Sequence, residues 1–334
     1  MAGDIDEFKK YVRKMRTKEF LTPFDFVYDI FIKSGADYYK KDKEWFRNNA
    51  SKFVMDMRDK DWDAFSAKES RFTIKMLKSL IDNDEIEGKE PLKAVEWFIE
   101  HNPEEIYSLS LSNTQSRRSR AGKEFEAIIE LMLIGADIPC EVQSILDGTL
   151  KSLANKNKKN KNSGINDSTL EKYKNNGPGK AVDFVSPGVV QYMHNKSDIV
   201  LISAKTTLRE RWQEVNEEAA RTGVGQVYLA TLDNSVTDNT TQVLYGNNIF
   251  IATTEENKKN IKIIDDSRVF SFEEMIERID NKIKVWEGRG YTDEDINIMS
   301  GYLNNQIKKH KKHPYVEAYY KKRLAEVEKL PHRD

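Results

Sequence analysis

The segment from residue 199 to residue 222 constrains the fold of this chain more than any other. Its apolar run 199–202 predicts a buried strand, and Lys205 follows at the end of that strand. Residues 207–222 then show the spacing of a helix. A buried strand that leads directly into a helix is a unit of an α/β fold, because such a strand must be covered by neighbouring elements.

The remainder of the chain changes character at about residue 112. Helical spacing dominates before this point, where Thr22 and Pro23 mark the N-cap and first residue of one helix. Later elements are predicted as helix 118–133, polar loop 151–180, strands 182–193 and 199–205, helix 207–222, strands 226–232, 248–253 and 261–264, and helices 272–287, 293–307 and 314–329. The predicted fold class is α/β: a central mixed β-sheet flanked by helices in residues 113–334, preceded by an N-terminal α-helical region in residues 1–112.

Composition sets broad limits on the class of protein. The chain has 54 basic and 55 acidic residues, so its net charge favours no class of partner. Acidic residues are concentrated in 82–87 and basic residues near Arg117 and in the lysine-rich segment 151–161, as expected if one face meets phosphates. The lysine-rich segment fits a solvated loop equally well.

Other features concern the compartment and the core. The N-terminus resembles no signal peptide and no apolar run approaches the roughly 18 residues of a membrane span, so we expect neither secretion nor membrane insertion. The single cysteine, Cys140, excludes an intramolecular disulfide, fits a reducing cytosol and is expected to pack in the core. His310 and His313 are expected on a solvated face rather than at a zinc site. The tryptophans at helical positions are expected in the core: Trp45, Trp62, Trp97 and Trp286.

Three residues have the side chains that phosphodiester hydrolysis requires. Asp183 ends a short apolar segment, Lys205 ends the buried strand, and Glu218 lies on the following helix. Hydrolysis needs a hard cation, an oriented water and neutralisation of the developing charge. Asp183 and Glu218 are therefore candidate Mg²⁺ ligands, and Lys205 is the candidate to face the scissile phosphate. Taken singly, each residue also fits an ordinary place on the surface.

Arg209, Glu210 and Arg211, which we call the triplet, follow the candidate catalytic lysine. Guanine presents two acceptors in the major groove that an arginine fork matches, and cytosine presents an amino donor that glutamate can accept. Two arginines around one glutamate therefore fit two guanines paired with two cytosines. The same residues also fit a first helical turn with surface ion pairs, worth about 0–1 kcal/mol each.

The Lys-Thr-Thr-Leu-Arg-Glu-Arg-Trp sequence at 205–212, with Glu218 after it, resembles one branch of the PD-(D/E)XK nuclease superfamily. This branch consists of the type II restriction endonucleases that read CCGG, CCNGG or CCWGG, and the spacing looks closest to the CCNGG and CCWGG readers. The general superfamily has an acid two positions before the lysine, where this chain has Ser203. In this branch the second carboxylate lies on the following helix, as Glu218 does. The likeness covers roughly residues 112–255.

The resemblance has further implications. Residues 116–126 are similar to the helix that contributes another active-site glutamate, and Glu126 fits that place better than Glu124. The resemblance implies a Mg²⁺-dependent homodimer, or a higher oligomer, in the bacterial or archaeal cytoplasm. It would cut double-stranded DNA before the first C of its target and leave 5′ overhangs. Candidate contacts to the DNA backbone are Arg117, Arg118 and Arg120. The family motif does not extend to the region 1–112, which we expect to clamp DNA, contact flanking bases or mediate oligomerisation.

Two other functions remain open at the level of sequence. A non-catalytic DNA-binding protein could keep the same fold, although the set of Asp183, Lys205 and Glu218 argues against it. A structure-selective repair nuclease or resolvase could use the same carboxylates, but it would have no use for a base-reading triplet. Cleavage of plasmid DNA in Mg²⁺ separates the first alternative from an endonuclease, and a ladder of discrete fragments separates the second.

Overall fold

The structure is a computed structural model that describes residues 4–158, 164–178, 182–208, 211–261 and 266–333. In chain order the helices are α1 (Ile5–Glu19), α2 (Pro23–Lys33), α3 (Lys43–Asn48), α4 (Ala50–Lys78), α5 (Asn83–Ile86), α6 (Pro91–His101), α7 (Pro103–Gly135), α8 (Gln143–Lys158), α9 (Asp167–Asn176), α10 (Val189–His194), α11 (Arg211–Thr222), α12 (Asp238–Tyr245), α13 (Glu255–Asn260), α14 (Phe272–Ile283), α15 (Asp293–Lys309) and α16 (Pro314–Val327). The strands are β1 (Glu141–Val142), β2 (Phe184–Ser186), β3 (Val200–Ala204), β4 (Gln226–Ala230), β5 (Ile249–Thr253) and β6 (Val269–Ser271).

The chain separates into two compact units. The first comprises Met1–Ala36 and Asp56–Ala127, and the second comprises Asp37–Met55 and Ile128–Asp334. Our predicted boundary near residue 112 falls inside α7. The functional division into 1–112 and 113–334 therefore stays a prediction, separate from this structural division.

Described elements of the first unit are helical. Its core includes aromatic and aliphatic side chains from α1, α4 and α7, such as Phe8, Phe72 and Leu109. α2 begins as predicted, since the Thr22 hydroxyl accepts a hydrogen bond from the Asp25 amide at 3.2 Å and Pro23 is its first residue.

The second unit contains the sheet. Its described strands lie in the order β1-β2-β3-β4-β5-β6, with antiparallel pairing from β1 to β3 and parallel pairing from β3 to β6. Every residue of β3 and β4 is buried. Helices α11, α12 and α13 connect the successive parallel strands, because such strands need a crossover between them. This architecture confirms the predicted mixed sheet flanked by helices.

The predicted loop at 151–180 is wrong over most of its described length. Helices α8 and α9 occupy much of it. Leu146, Leu150 and Leu153 recur at helical spacing and are buried. The many lysine and asparagine residues of α8 form its solvated face, and their polarity concealed this apolar stripe.

The predicted strand at 182–193 is also wrong in its second half. β2 ends at Ser186, because Pro187 has no backbone N–H with which to continue the ladder, and α10 follows. Of the predicted strand 261–264, residues 262–264 lie outside the described residues. β6 was not predicted, since it has only three residues.

Two surface assignments need correction. His310 and His313 are 0% and 4% exposed, and their Nδ1 atoms lie 3.1 Å apart. His310 also stacks on Tyr320, so aromatic packing buries the pair despite the surrounding lysines. Conversely, Trp62 is 45% exposed, whereas Trp286 and Cys140 are buried as predicted.

Candidate active site

Lys205 lies at the carboxyl end of the most buried part of the sheet. Its amide donates to the carbonyl of Ala230 at 2.8 Å, so the parallel ladder between β3 and β4 continues one residue beyond β3. This pairing fixes the backbone at the lysine. Only its side chain then needs to reach out from the edge of the sheet.

Asp183 lies beside this lysine because β2 runs antiparallel to β3. The amide of Asp183 donates to the carbonyl of Ile202 at 3.0 Å, which extends the antiparallel pairing to the residue before β2. Asp183 Oδ2 accepts a hydrogen bond from Lys205 Nζ at 3.0 Å and from the amide of Ala204 at 2.8 Å. The structure thus brings together two of the predicted catalytic residues.

Ser203 occupies the position where the general superfamily has an acid. It is 1% exposed, and its hydroxyl lies 3.5 Å from Asp183 Oδ2. A third donor therefore points toward the same oxygen. This serine contributes to holding Asp183 and supplies no carboxylate of its own, which leaves the second carboxylate to come from elsewhere.

The two oxygens of Asp183 have different surroundings. The three donors surround Oδ2, while no donor among the described residues contacts Oδ1. The side chains of Asp183 and Lys205 retain 14% and 16% of their exposure, respectively. One oxygen is thus held by the protein, and the other accepts no hydrogen bond from the described residues, which is the arrangement expected of a carboxylate that also binds a hard cation.

The structure describes little of Glu218 and the triplet. Arg209 and Glu210 are not among the described residues, and the side chains of Arg211, Trp212 and Glu218 are not described. The backbones of Arg211 and Glu218 belong to α11, which begins directly after Glu210. Val215 and Ala219 of this helix are buried. Among the described residues no group of three His, Cys, Asp or Glu side chains forms a metal site.

Glu126 belongs to the first unit, on α7. Its carboxylate pairs with Lys123 Nζ, at 2.7 Å to Oε2 and 3.0 Å to Oε1. The side chain of Glu126 is 23% exposed. Its predicted part in catalysis stays a prediction.

The three arginines proposed for the DNA backbone differ in their surroundings. Arg118 is exposed, and Arg117 is half exposed and bonds Glu69 through Nε. Arg120 is only 11% exposed, and its guanidinium lies 2.6 Å from Glu124 and faces the ring of Phe65. Arg120 therefore stabilises the interior of the first unit, so any role at phosphates falls mainly to the other two arginines.

Asp233 is a residue that sequence reasoning missed. It follows β4, and its Oδ2 accepts a hydrogen bond from the amide of Leu208 at 2.8 Å, one position before the triplet. The signal available in the sequence is the turn-forming Asp-Asn-Ser after an apolar strand. That signal indicates a turn, but it does not indicate which distant backbone the aspartate holds.

A buried carboxyl also lies on β1, the strand that pairs with β2. Glu141 on β1 is 6% exposed, and its Oε2 accepts from the amide of Val189 at 3.1 Å. Burial raises the pKa of Glu141 to about 7, against the opposing effect of that hydrogen bond. Sequence reasoning missed this group as well, because an acidic residue at a two-residue strand is typical of a surface position.

Comparisons with known proteins agree with this geometry. The family described as EcoRII C terminal matches residues 161–276, which include Asp183 and Lys205. The type II restriction enzyme SsoII from Shigella sonnei is 43% identical over 319 residues, covering 96% of this chain and 96% of SsoII. No helix among the described residues is long and apolar enough to cross a membrane.

Solved structures give the same result. Metal-depleted Ecl18kI in complex with uncleaved DNA is 41% identical with a TM-score of 0.82, over 96% of this chain and 99% of Ecl18kI. The complex of the restriction endonuclease PspGI with substrate DNA is 17% identical with a TM-score of 0.52, over 80% of this chain and 95% of PspGI, and so shows the fold alone. With an aspartate-lysine pair at the end of the central strand and a relative that aligns over nearly its whole length, the chain belongs to the type II restriction enzymes related to SsoII, the site-specific endonucleases predicted from its sequence.

Proposed function

We propose that this chain is a Mg²⁺-dependent homodimer that cuts both strands of double-stranded DNA at a palindrome containing CC and GG. The core would be CCGG, CCNGG or CCWGG, with cleavage before the first C to leave 5′ overhangs. Membership of the SsoII family supports cleavage at a specific sequence. The relative Ecl18kI was solved in complex with uncleaved DNA, which supports duplex DNA as the substrate.

The observation that carries the proposal is the contact between Asp183 and Lys205. Lys205 Nζ lies 3.0 Å from Asp183 Oδ2, and both side chains remain partly accessible at the edge of the sheet. An ammonium group held in this way can face an anionic phosphate without first being ordered. Preorganised charge of this kind is what stabilises a pentavalent phosphate as negative charge accumulates on its oxygens.

The residues present fit a magnesium ion. Asp183 offers Oδ1, which no donor of the described chain contacts, and Glu218 is the proposed second carboxylate. Mg²⁺ prefers carboxylate oxygens and usually takes one or two from the protein, keeping several waters. When bound, the ion would withdraw charge from phosphate oxygens and make a coordinated water more acidic. Glu126 is proposed as a further catalytic glutamate, as the family resemblance implies.

The protein's own groups then divide the work. Asp183 orients Lys205 through Oδ2, while the amide of Ala204 keeps the carboxylate in place. Lys205 neutralises the phosphate oxygens and holds a hydrogen bond to the attacking water. Because β4 fixes the backbone of Lys205 and Asp183 holds its ammonium group, the side chain is already ordered when DNA arrives.

Base reading is assigned to the triplet. Arg209 and Arg211 would each donate two hydrogen bonds to a guanine, and Glu210 would accept from the amino groups of the paired cytosines. The triplet begins only four residues after Lys205, so the connection between β3 and α11 would carry both the catalytic lysine and the base-reading residues. Arg117 and Arg118 would contact the DNA backbone, and region 1–112 would clamp DNA, contact flanking bases or join subunits.

The homodimer follows from the symmetry of the proposed target. A palindrome has a two-fold axis, and two identical subunits related by the same axis each meet one half-site and one strand. The Arg-Glu-Arg triplet has enough groups for one half-site of two G·C pairs. A single subunit would leave the other half unread, and higher oligomers add to this arrangement without replacing it.

Digestion of a sequenced plasmid tests the proposed function. Purified protein is incubated with plasmid in Mg²⁺, in Ca²⁺ and in EDTA, and run-off sequencing maps the ends. We expect discrete fragments in Mg²⁺ alone, with every end before the first C of a CC/GG palindrome. Binding without cleavage would identify a non-catalytic DNA-binding protein, and preferential cleavage of branched DNA would identify a repair nuclease.

A further inference from the structure

The carboxylate of Asp233, in the loop after β4, bonds to the connection between β3 and α11. Asp233 Oδ2 accepts a hydrogen bond from the amide of Leu208 at 2.8 Å. The other oxygen, Oδ1, accepts from the amide and the hydroxyl of Ser235, at 2.9 Å and 2.6 Å. Asp233 therefore uses both oxygens to join two segments that lie 25 positions apart in the sequence.

Thr206, earlier in the same connection, also accepts hydrogen bonds from the segment that follows β4. The carbonyl of Thr206 accepts hydrogen bonds from the amide of Leu232 at 3.3 Å and the hydroxyl of Thr231 at 3.4 Å. The side chain of Leu208 is 3% exposed. The chain is thus fixed at Thr206 by these two hydrogen bonds, and at Leu208 by both burial and the bond to Asp233. The next residue in the sequence is Arg209.

We propose that Asp233 is a positioning residue for base reading, which acts through the amide of Leu208 and makes no contact with DNA. A carboxylate bonded to an amide is a charge-assisted hydrogen bond, stronger than one between neutral groups. Sites that read hydrogen-bonding patterns need their side chains held to within about 0.5 Å. The bond to Asp233 fixes the backbone from which the triplet departs, so its loss widens the range of directions that Arg209 can take. This inference rests on the proposed base reading by the triplet.

The position of Asp233 separates this role from catalysis and from phosphate binding. Its oxygens are engaged by Leu208 and Ser235, and it lies beyond β4 rather than next to Asp183. Lys205 is held independently, by Ala230 and by Asp183. Loss of the Asp233 bond should therefore affect discrimination between sequences more than it affects binding to DNA in general.

Competition binding in Ca²⁺ tests the proposal on the full-length protein. The probes are a duplex carrying the mapped cleavage site and a duplex with the same bases scrambled. The variants are Asp233→Ala, the isosteric Asp233→Asn, and the matched control Ser235→Ala, which removes a partner of Oδ1 and leaves the bond to Leu208. Arg209→Ala and Arg211→Ala serve as references for loss of base reading.

We expect Asp233→Ala to lower the ratio of specific to non-specific affinity about tenfold, which corresponds to about 1.4 kcal/mol. Asp233→Asn, which keeps one acceptor, should give a smaller fall, and Ser235→Ala should leave the ratio unchanged. Non-specific affinity should stay within about twofold in all three, whereas a general loss of folded protein would lower both affinities together.

Two results would overturn the proposal in distinguishable ways. If the arginine variants lower the ratio while Asp233→Ala and Asp233→Asn do not, Asp233 has no positioning role and base reading by the triplet stands. If the arginine variants also leave the ratio unchanged, the triplet does not read bases and both proposals fail. Should Asp233→Ala not fold, Asp233→Asn decides the question in the same way.

Discussion

Each compact unit places carboxylates against cationic side chains, but the carboxylates of the two units differ in their exposure to solvent. In the first unit Asp61 is 0% exposed and lies 3.1 Å from Arg58 Nη1, while Glu124 lies 2.6 Å from Arg120 Nη2. Burial, and after it the negative charge of the neighbouring Glu124, raise the pKa of Asp61 to about 7. Burial also raises the pKa of Glu124.

The pair in the second unit is built differently. Asp183 and Lys205 retain 14% and 16% of their side-chain exposure, and the carboxylate has three donors around one oxygen and none from the described chain on the other. The same residue types thus have different roles in the two units. Where the carboxylate is almost fully buried, as in Asp61 and Glu124, the pair stabilises or strains the fold. Where the carboxylate remains partly exposed, as in Asp183, it can meet a metal while its lysine meets a phosphate.

The largest expected effect tests whether the accessible pair does the chemistry. Asp183→Asn and Lys205→Ala should each lower the single-turnover cleavage rate in Mg²⁺ by roughly 10²- to 10³-fold or more, because each removes charge placed for the transition state. Specific binding in Ca²⁺ should stay largely intact, since neither residue is assigned to base reading. Near-normal cleavage by either variant would remove the active-site assignment.

A comparable effect is expected at the proposed second carboxylate on α11. Glu218→Gln should match the defect of Asp183→Asn, because both remove a ligand of the same ion. Glu214→Gln and Glu217→Gln, on the same helix, are the controls and should cleave at close to the normal rate. Equal losses in all three variants would indicate damage to α11 instead of the loss of a ligand.

A smaller effect, on discrimination rather than rate, is expected from the triplet. Glu210→Gln places donors opposite the cytosine amino groups, so specific binding should weaken by about 1–3 kcal/mol. Arg209→Ala and Arg211→Ala should each lose discrimination at one G·C pair by a similar amount. Competition binding in Ca²⁺ at two salt concentrations is the measurement.

A side chain that binds phosphate would give a different result in that measurement. Its removal would lower affinity equally on all sequences, and the dependence of log affinity on log salt concentration would become shallower by about one unit for each phosphate left unneutralised. Arg118→Ala, which changes an exposed residue proposed for the DNA backbone, should show this second pattern. If all three triplet variants also showed it, the proposed CC/GG target would lose its main support.

The last effect concerns stability rather than DNA, and it tests the buried carboxylates of the first unit through pH. The pKa of Asp61 is raised from 3.8 to about 7, so the folded chain keeps a proton that the unfolded chain releases. The stability from this group is therefore fully present below about pH 4 and is lost as pH rises to about 7, by roughly 1–4 kcal/mol. Asp61→Asn should flatten the melting temperature between about pH 4.5 and about pH 7.5 relative to the parent protein.

The matched control for this experiment lies on the same helix. Asp63 is exposed, and Asp63→Asn should leave the pH dependence of melting unchanged. Cleavage by the folded Asp61→Asn variant should be unaffected, because Asp61 is buried within the first unit. If the melting temperatures of Asp61→Asn and of the parent protein changed with pH in the same way, Asp61 would not titrate in this range.

The parts of the fold that could be predicted were those with local signals. The apolar run before Lys205 and the helical spacing after it predicted β3 and α11, and Thr22 with Pro23 predicted the beginning of α2. α8 was missed because its solvated face dominates its composition, and the burial of His310 was missed because it depends on contacts with distant residues. Trp62 shows the opposite case, since its helical position predicted a place in the core and the side chain is exposed.

The sequence by itself determined which side chains are available for chemistry and which family the chain belongs to, because the spacing from Lys205 through the triplet to Glu218 is carried by one short segment. The tertiary structure alone decided which of them come into contact. Asp183 reaches Lys205, 22 positions away, only because β2 pairs antiparallel with β3. Likewise, the link from Asp233 to Leu208 exists only because β4 lies parallel to β3, since hydrogen bonds between distant segments depend on which strands become neighbours.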